Sequence, residues 1–358
     1  MNTKIFEQAC LLFLIILASG CVANQDQILG PGPGAPKIEQ IKEITLPEFA
    51  IPSNETQNYI EREYTWTYKD RKYTWSAFFP KALYDYYKNK PRPPTRDYSV
   101  YATDPFDDSV IRQSVSSFRK TSQEEGFNER ETINFVVTFV QSLQYTADDV
   151  TTPFDEYPRY PLETLIDNGG DCEDTSILVS TLLAELGYDS ILVSPPQHLA
   201  VGVACTDCSG AYYQYQDKKY FYLETTGDGW EIGEMPTEYE GTTVKFYTIV
   251  PKPVITLEWS SEAAGSDPFS VTYEINITVN NQGSAAAENL VVWAAFDTTE
   301  EGKVYSKVEG EPQNLRPGEE LNSIVTLSAP RGVYTRVHIL VSGNNFFTQE
   351  SVSEWVKN

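Results

Sequence analysis

The chain has 358 residues, with 51 acidic side chains against 27 basic ones and a net charge of −24. That charge repels a phosphate backbone, which excludes nucleic acid as a partner class. An apolar fraction of 41% is ample for packed cores, and the length predicts two domains rather than one.

Lys4 gives a weakly positive start, and Ala9–Ala18 is an apolar run of about ten residues, signal-peptide length and too short to span a bilayer. It ends Leu17-Ala18-Ser19-Gly20-Cys21, which resembles a lipobox. Residues 1–21 are therefore expected to be a signal peptide, with Cys21 the lipid-bearing new N-terminus. Ordinary secretion is the alternative. Residues 22–55 contain Gly30-Pro31-Gly32-Pro33-Gly34 and no sustained period, so they read as a tether. Asn54-Glu55-Thr56 and Asn276-Ile277-Thr278 match the glycan-acceptor pattern.

Residues 56–250 form the first expected domain. Tyr64, Trp66 and Tyr68, then Tyr73 and Trp75, alternate on either side of Lys69-Asp70-Arg71, which predicts a hairpin with one aromatic core face. Residues 107–126 read as a helix with Val110, Ile111, Val115 and Phe118 on one side. Asn128, with Glu131 three residues on, predicts a capping box opening a second helix. Gln141 near its end is a candidate oxyanion donor; a solvated helix terminus is the plainer reading. Residues 146–164 read as a loop bringing Tyr157, Arg159 and Tyr160 to a cleft wall, with Arg159 paired to Asp155 or Glu163.

The chain then reads Asn168-Gly-Gly-Asp-Cys-Glu-Asp-Thr-Ser, followed by Ile177, Leu178, Leu182 and Leu186 at helical steps and Gly187 as a stop. The diglycine suggests a tight turn. Cys172 thus falls in the first turn of a helix, where free N–H groups and the positive dipole end favour a thiolate. The flanking Asp171, Glu173 and Asp174 oppose ionisation, so a cationic partner is needed. His198, one of two histidines, follows Pro195-Pro196 and opens an apolar strand. Glu224 closes a later strand and could orient the imidazole. Asp171 and Tyr160 are expected to line the cleft. His338 reads as an ordinary strand residue.

This order of Gly-Asp-Cys at a helix start, His opening a strand and an acid closing another resembles the transglutaminase-like superfamily of papain-type thiol enzymes. Tyr157-Pro-Arg-Tyr-Pro-Leu-Glu-Thr-Leu165 before Gly-Asp-Cys-Glu-Asp is similar to its archaeal and bacterial exported members. The resemblance spans about residues 60–250. It implies Cys172 as nucleophile, His198 as general base and acid, and Glu224 as third member, although Asp at shorter range is usual. It also implies acyl transfer or hydrolysis at a peptide or carboxamide carbonyl. No cofactor and no metal are expected.

Cys205 and Cys208 are expected to form a local disulfide in an exported protein. A zinc site adding Cys172 and His198 is disfavoured, because the strand from His198 to Cys205 spans roughly 23 Å and ends on the opposite face. After Pro251, residues 253–358 show short alternating strands and turn signals, an immunoglobulin-like sandwich similar to prokaryotic cell-adhesion modules. The expected fold class is α+β: a papain/transglutaminase-like core of helices on an antiparallel sheet, then an all-β sandwich. The expected product is a lipid-anchored surface enzyme acting on protein or peptide, with a surface protein or glycan partner for the sandwich. The rival is a non-catalytic adhesion protein using the same scaffold.

Overall fold

A computed structural model describes residues 38–44, 58–148 and 156–358. The expected signal segment, Cys21, Asn54 and Asp155 lie outside the described residues. Among the described residues, no helix is long and apolar enough to cross a membrane.

The chain is α+β. Strands β2 (Tyr59–Tyr68) and β3 (Arg71–Pro80) form the aromatic hairpin. Its turn residues Lys69 and Asp70 have φ of 50° and 59°, the left-handed pair that matches the twist of the flanking strands. Tyr64 and Trp66 pack their rings against Phe139, and Trp66 also meets Phe118. Those phenylalanines come from α3 (Asp108–Glu125) and α4 (Glu129–Gln141). Asn128 accepts from Glu131 N–H and Glu131 accepts from Asn128 N–H, each at 2.9 Å, closing the capping box. Two short helices precede α3: α1 (Lys81–Asn89) and α2 (Ser99–Ala102). A third, α5 (Pro161–Asp167), lies inside the stretch read as loop. Its Pro161 occupies the first helical position, where a missing N–H costs nothing.

Helix α6 (Cys172–Leu186) runs through the centre of this core. Its apolar side chains Ile177, Leu178, Leu182 and Leu183 are fully enclosed. The short strands β4 (Gln144–Tyr145) and β5 (Gly169–Gly170) pair in parallel ahead of this helix. The helix packs on a five-stranded antiparallel sheet made of β6 (Ser190–Ser194), β7 (Ala200–Val203), β8 (Tyr212–Tyr215), β9 (Lys218–Leu223) and β10 (Lys245–Thr248). The spatial order is β10-β6-β7-β9-β8.

A second hydrophobic core begins at Ile255. It lies between a sheet containing β11 (Ile255–Ser266), β12 (Ser270–Asn281) and β16 (Glu320–Pro330), and a sheet built on β13 (Ala287–Asp297) and β17 (Tyr334–Ser342), with β14 (Val304–Glu309) and β15 (Gln313–Leu315) paired to β13. Ile275, Ile277 and Val279 point inward at every second position, as a one-sided strand requires. Among the described residues, the stretch read as a tether holds one strand, β1 (Ile38–Ile44), antiparallel to β16. An open sheet edge accepts any extended backbone, so side-chain periodicity near the Gly-Pro run could not reveal it. Lys252 links the two halves, with its ammonium 2.5 Å from Asp97 and its carbonyl accepting from Ser284 N–H at 2.8 Å.

Candidate active site

Cys172 is the first residue of α6, and its thiol is free and partly accessible. The backbone reversal before it belongs to Asn168, whose φ is 55°. The two glycines serve close packing instead. A Cβ on Gly170 would lie 2.5 Å from that of Asp174. Asp174 is wholly buried because it holds Arg159, which is 1% exposed. Arg159 donates its backbone N–H to Asp174 at 2.6 Å, pairs with the same carboxylate through its guanidinium, and reaches Asp148 at 3.0 Å. The Glu163 pairing expected from the sequence gives way to this network, while Asp155 lies outside the described residues. Glu163 is instead held by Arg92, with both oxygens at 2.8 Å.

Hydroxyls bind the first turn of α6 to the sheet. Thr175 meets Thr225 at 2.9 Å, and Ser176 meets both Thr225 and the carbonyl of Leu199 at 2.9 Å. These three residues were not singled out from the sequence. The available signal was two small hydroxyl residues, three and four positions after the cysteine, facing an otherwise apolar interior. The Leu199 N–H, from the residue after His198, draws the Cys172 thiol pKa down.

Pro195, Pro196 and Gln197 make the turn into His198, and Gln197 has φ of 57°, a left-handed geometry uncommon outside glycine and concentrated at functional sites. The register Val201↔Leu223 between β7 and β9 places His198 and Glu224 at the same end of neighbouring strands. This is why a sequence gap of 26 residues closes to 3.0 Å between His198 Nε2 and Glu224 Oε2.

Glu224 is 4% exposed and receives four further donors: Tyr222 OH at 2.9 Å, Thr225 N–H and Thr226 N–H at 3.1 Å, and Thr226 OH at 2.6 Å. Burial alone would raise its pKa, but the His198 bond and the Thr226 donors draw it below the ordinary carboxylate value. A carboxylate surrounded by donors is ionised and accepts the Nε2 proton of His198. Nδ1 is then the basic nitrogen, and it has no hydrogen-bond partner among the described residues. Tyr239 stacks on the imidazole, with centroids 4.9 Å apart and planes 4° from parallel. Cys172, Glu173 and His198 line one cleft of about 840 Å³. His198, Glu224, Trp230 and Tyr239 line a second hollow of about 550 Å³.

Three expectations are corrected by this geometry. Gln141 is buried, and its amide donates to the carbonyls of Glu224 at 2.8 Å and Trp230 at 3.0 Å. Both amide protons are thereby used, so Gln141 fixes the Glu224 loop and has no donor left for an oxyanion. Tyr160 is 1% exposed, its ring against Tyr87 and Tyr101, and so is absent from the cleft wall. Asp171 is not among the residues lining the cleft, whose walls include Thr95, Tyr98, Glu156 and Pro196. The backbone N–H of Cys172 has no acceptor among the described residues and remains the available oxyanion donor.

The thiol itself differs from the thiolate expected. Burial, then the Glu173 carboxylate, push it well above its ordinary value, against the Leu199 N–H, which lowers it. In the resting protein the thiol donates to Glu173 Oε2 at 3.3 Å. Glu173→Gln removes the nearest negative charge and should lower the thiol pKa. The alkylation rate by iodoacetamide should then rise several-fold at pH 8, and its pH profile should move to lower pH; an unmoved profile would show that Glu173 does not control ionisation. Asp148, Asp171 and Glu173 each offer a carboxylate oxygen within 4.8 Å of the others, a spacing that could hold a metal ion. Burial, followed by Glu173, pushes the Asp171 carboxyl up to about 8. Cys205 and Cys208 are joined as a disulfide. His338 pairs with Asp297 at 3.2 Å on the outer part of the second sheet.

No family model matches this chain, and no curated protein matches it. Among solved structures, it is similar to red sea bream transglutaminase, at 9% identity over 82% of this chain and 61% of that one, with a TM-score of 0.25. It is also similar to the CARDB domain of the PF1109 protein from Pyrococcus furiosus, at 17% identity over 28% of this chain and 86% of that domain, with a TM-score of 0.19. The protein designated ApaA from Bordetella pertussis gives 20% identity over 30% and 94%, with a TM-score of 0.22. Likenesses this slight establish neither a family nor an activity.

Proposed function

We propose that this chain is a thiol acyltransferase or amide hydrolase of transglutaminase-like type, with a papain-type core and an immunoglobulin-like sandwich, exported and lipid-anchored through Cys21. The observation that carries this reading is the saturated Glu224 carboxylate, which fixes the His198 tautomer beside a cleft shared with Cys172.

In the proposed reaction the Cys172 sulfur attacks a peptide or carboxamide carbonyl carbon while its proton passes to His198 Nδ1. The Cys172 N–H receives the developing oxyanion. The C–N bond then breaks, His198 returns the proton to the departing amine, and a thioester remains on Cys172. Water or an amine then attacks the thioester carbon as His198 takes its proton, the C–S bond breaks to give an acid or a new amide, and His198 returns the proton to the Cys172 sulfur. A thiol that starts protonated needs its base at the moment of attack, so the imidazole acts within the bond-forming step.

A rival reading, a non-catalytic surface-binding protein on the same scaffold, is favoured by the raised thiol pKa. The two part in one experiment. A panel of glutamine-containing peptides is incubated with the protein in hydroxylamine, and acid-quenched samples are measured by intact mass. Hydroxamate formation and an acyl adduct mapping to Cys172, both lost in Cys172→Ala, are the expected result. Neither product from any peptide in the panel would favour the binding protein.

A further inference from the structure

The proposed acyl-transfer reading leaves the substrate unspecified, and the walls of the Cys172 cleft carry information about it. In a chain with 51 acids and 27 bases, cations are readily matched by carboxylates. Two cations on this cleft are not: Arg96 and Lys245 line it, and neither forms an ion pair or hydrogen bond among the described residues. The acid next to Arg96 in sequence is committed elsewhere, since Asp97 binds Lys252 at 2.5 Å and the Ser99 hydroxyl at 2.6 Å. The acids on the cleft are also engaged. Glu156 accepts from Tyr98 OH at 2.6 Å, and Glu173 accepts from the Cys172 thiol at 3.3 Å.

Lys245 and Tyr247 stand two residues apart on β10, so they share one face of the strand, and Phe246 between them packs against Ile191, Val193 and Tyr220 on the other. Tyr247 lines the same cleft, and both Asp97 and Arg96 act electrostatically on its hydroxyl. That hydroxyl has no hydrogen-bond partner among the described residues. A forked guanidinium, an ammonium and a phenol, whose side chains are all unpartnered among the described residues and line the same cleft, form a donor set suited to a carboxylate.

We infer that Arg96, Lys245 and Tyr247 form a carboxylate-recognition subsite, and that the acyl donor is an acidic peptide bearing that carboxylate near the carbonyl attacked by Cys172. The carboxylate is either an acidic side chain or a free C-terminus, and both present the same planar pair of oxygens. The subsite rests on the acyl-transfer reading for its purpose, although binding to it does not require catalysis.

The test uses acetyl-Gly-Ala-Gln-Xaa-Gly-amide with Xaa as Glu, Gln or Lys, together with the Xaa = Gln peptide ending in a free carboxylate. Hydroxamate formation is followed with the parent protein and with Arg96→Gln, Lys245→Gln and Tyr247→Phe. A carboxylate peptide should show a KM about tenfold below that of the neutral one with kcat little changed, and Arg96→Gln should erase the difference. Which of the two acidic peptides benefits identifies the source of the carboxylate. Arg96→Glu with Lys245→Glu should transfer the preference to the Lys peptide, a gain that misfolding cannot produce. In parallel, rhodamine-labelled versions are titrated onto Cys172→Ala. Tighter binding of an acidic peptide without turnover by the parent would retain the subsite and reject the reaction. Turnover with equal KM for all four peptides would reject the subsite and retain the reaction.

Discussion

Replacing His198 with alanine should slow thioester formation on Cys172 by on the order of 10³-fold, the scale associated with a positioned general base. The size of the effect follows from the resting state of the sulfur. A thiol already ionised would retain most of its reactivity without the imidazole. Here burial and Glu173 keep the proton on sulfur, so removing its acceptor should act on the attack step itself. Glu224→Gln should cost less, about 10–100-fold, the scale seen when a residue supporting a functional histidine is lost. Its amide nitrogen would replace one oxygen of a group that now accepts from His198, Tyr222, Thr225 and Thr226. The ring would lose its tautomer preference while the Tyr239 stack continued to restrain it. Rapid-quench measurement of acyl-enzyme formation, with circular dichroism melting to verify the fold, separates the two. Equal rates for the parent and His198→Ala would remove the imidazole from the mechanism.

Arg159→Leu should destabilise the protein by about 3–5 kcal/mol, the cost of leaving buried charge without its partner. Arg159 and Asp174 are both at 1% exposure or less, and Asp148 is at 3%. With Arg159 present, burial still outweighs the ion pair and sets the Asp174 carboxyl at about 7, well above its ordinary 3.8. Without Arg159 that value rises further. A carboxyl with a raised folded-state pKa stabilises the fold while protonated, and this contribution fades as pH climbs from the unfolded value through the folded one. The variant should therefore be more stable at pH 5 than at pH 8, and adding Asp174→Asn should restore part of the loss at pH 8. Urea unfolding at both pH values measures this. A loss below about 1 kcal/mol, the scale of a surface pair, would mean that the network is not closed to solvent.

The places of Cys172, His198 and Glu224 in the fold were legible because each is marked by its neighbours in the chain: a glycine pair and a helix start, a diproline turn, the end of an apolar strand. The helices with clear periods and caps were legible for the same reason. Helix α1 was not, because Leu83 and Tyr87 alone carry its buried face and its surrounding aromatics suit strands equally well. The roles of Gln141 and Tyr160 were misread, and the Asp148 and Asp174 partners of Arg159 went unforeseen, because each depends on other elements. Gln141 finds its carbonyls 83 and 89 residues away, and Tyr160 is covered by rings from α1 and α2.

Local sequence determined the capped, periodic helices and the alternating strands, and which chemistry-bearing side chains sat at their ends, since turn residues, caps and periodicity act over three or four positions. Only the tertiary structure decided which of those side chains would meet, which would be sealed from water, and whether the sulfur would hold its proton. Solvation and pairing at a buried atom are set by whatever packs around it, and in this protein those neighbours come from strands and loops tens of residues away.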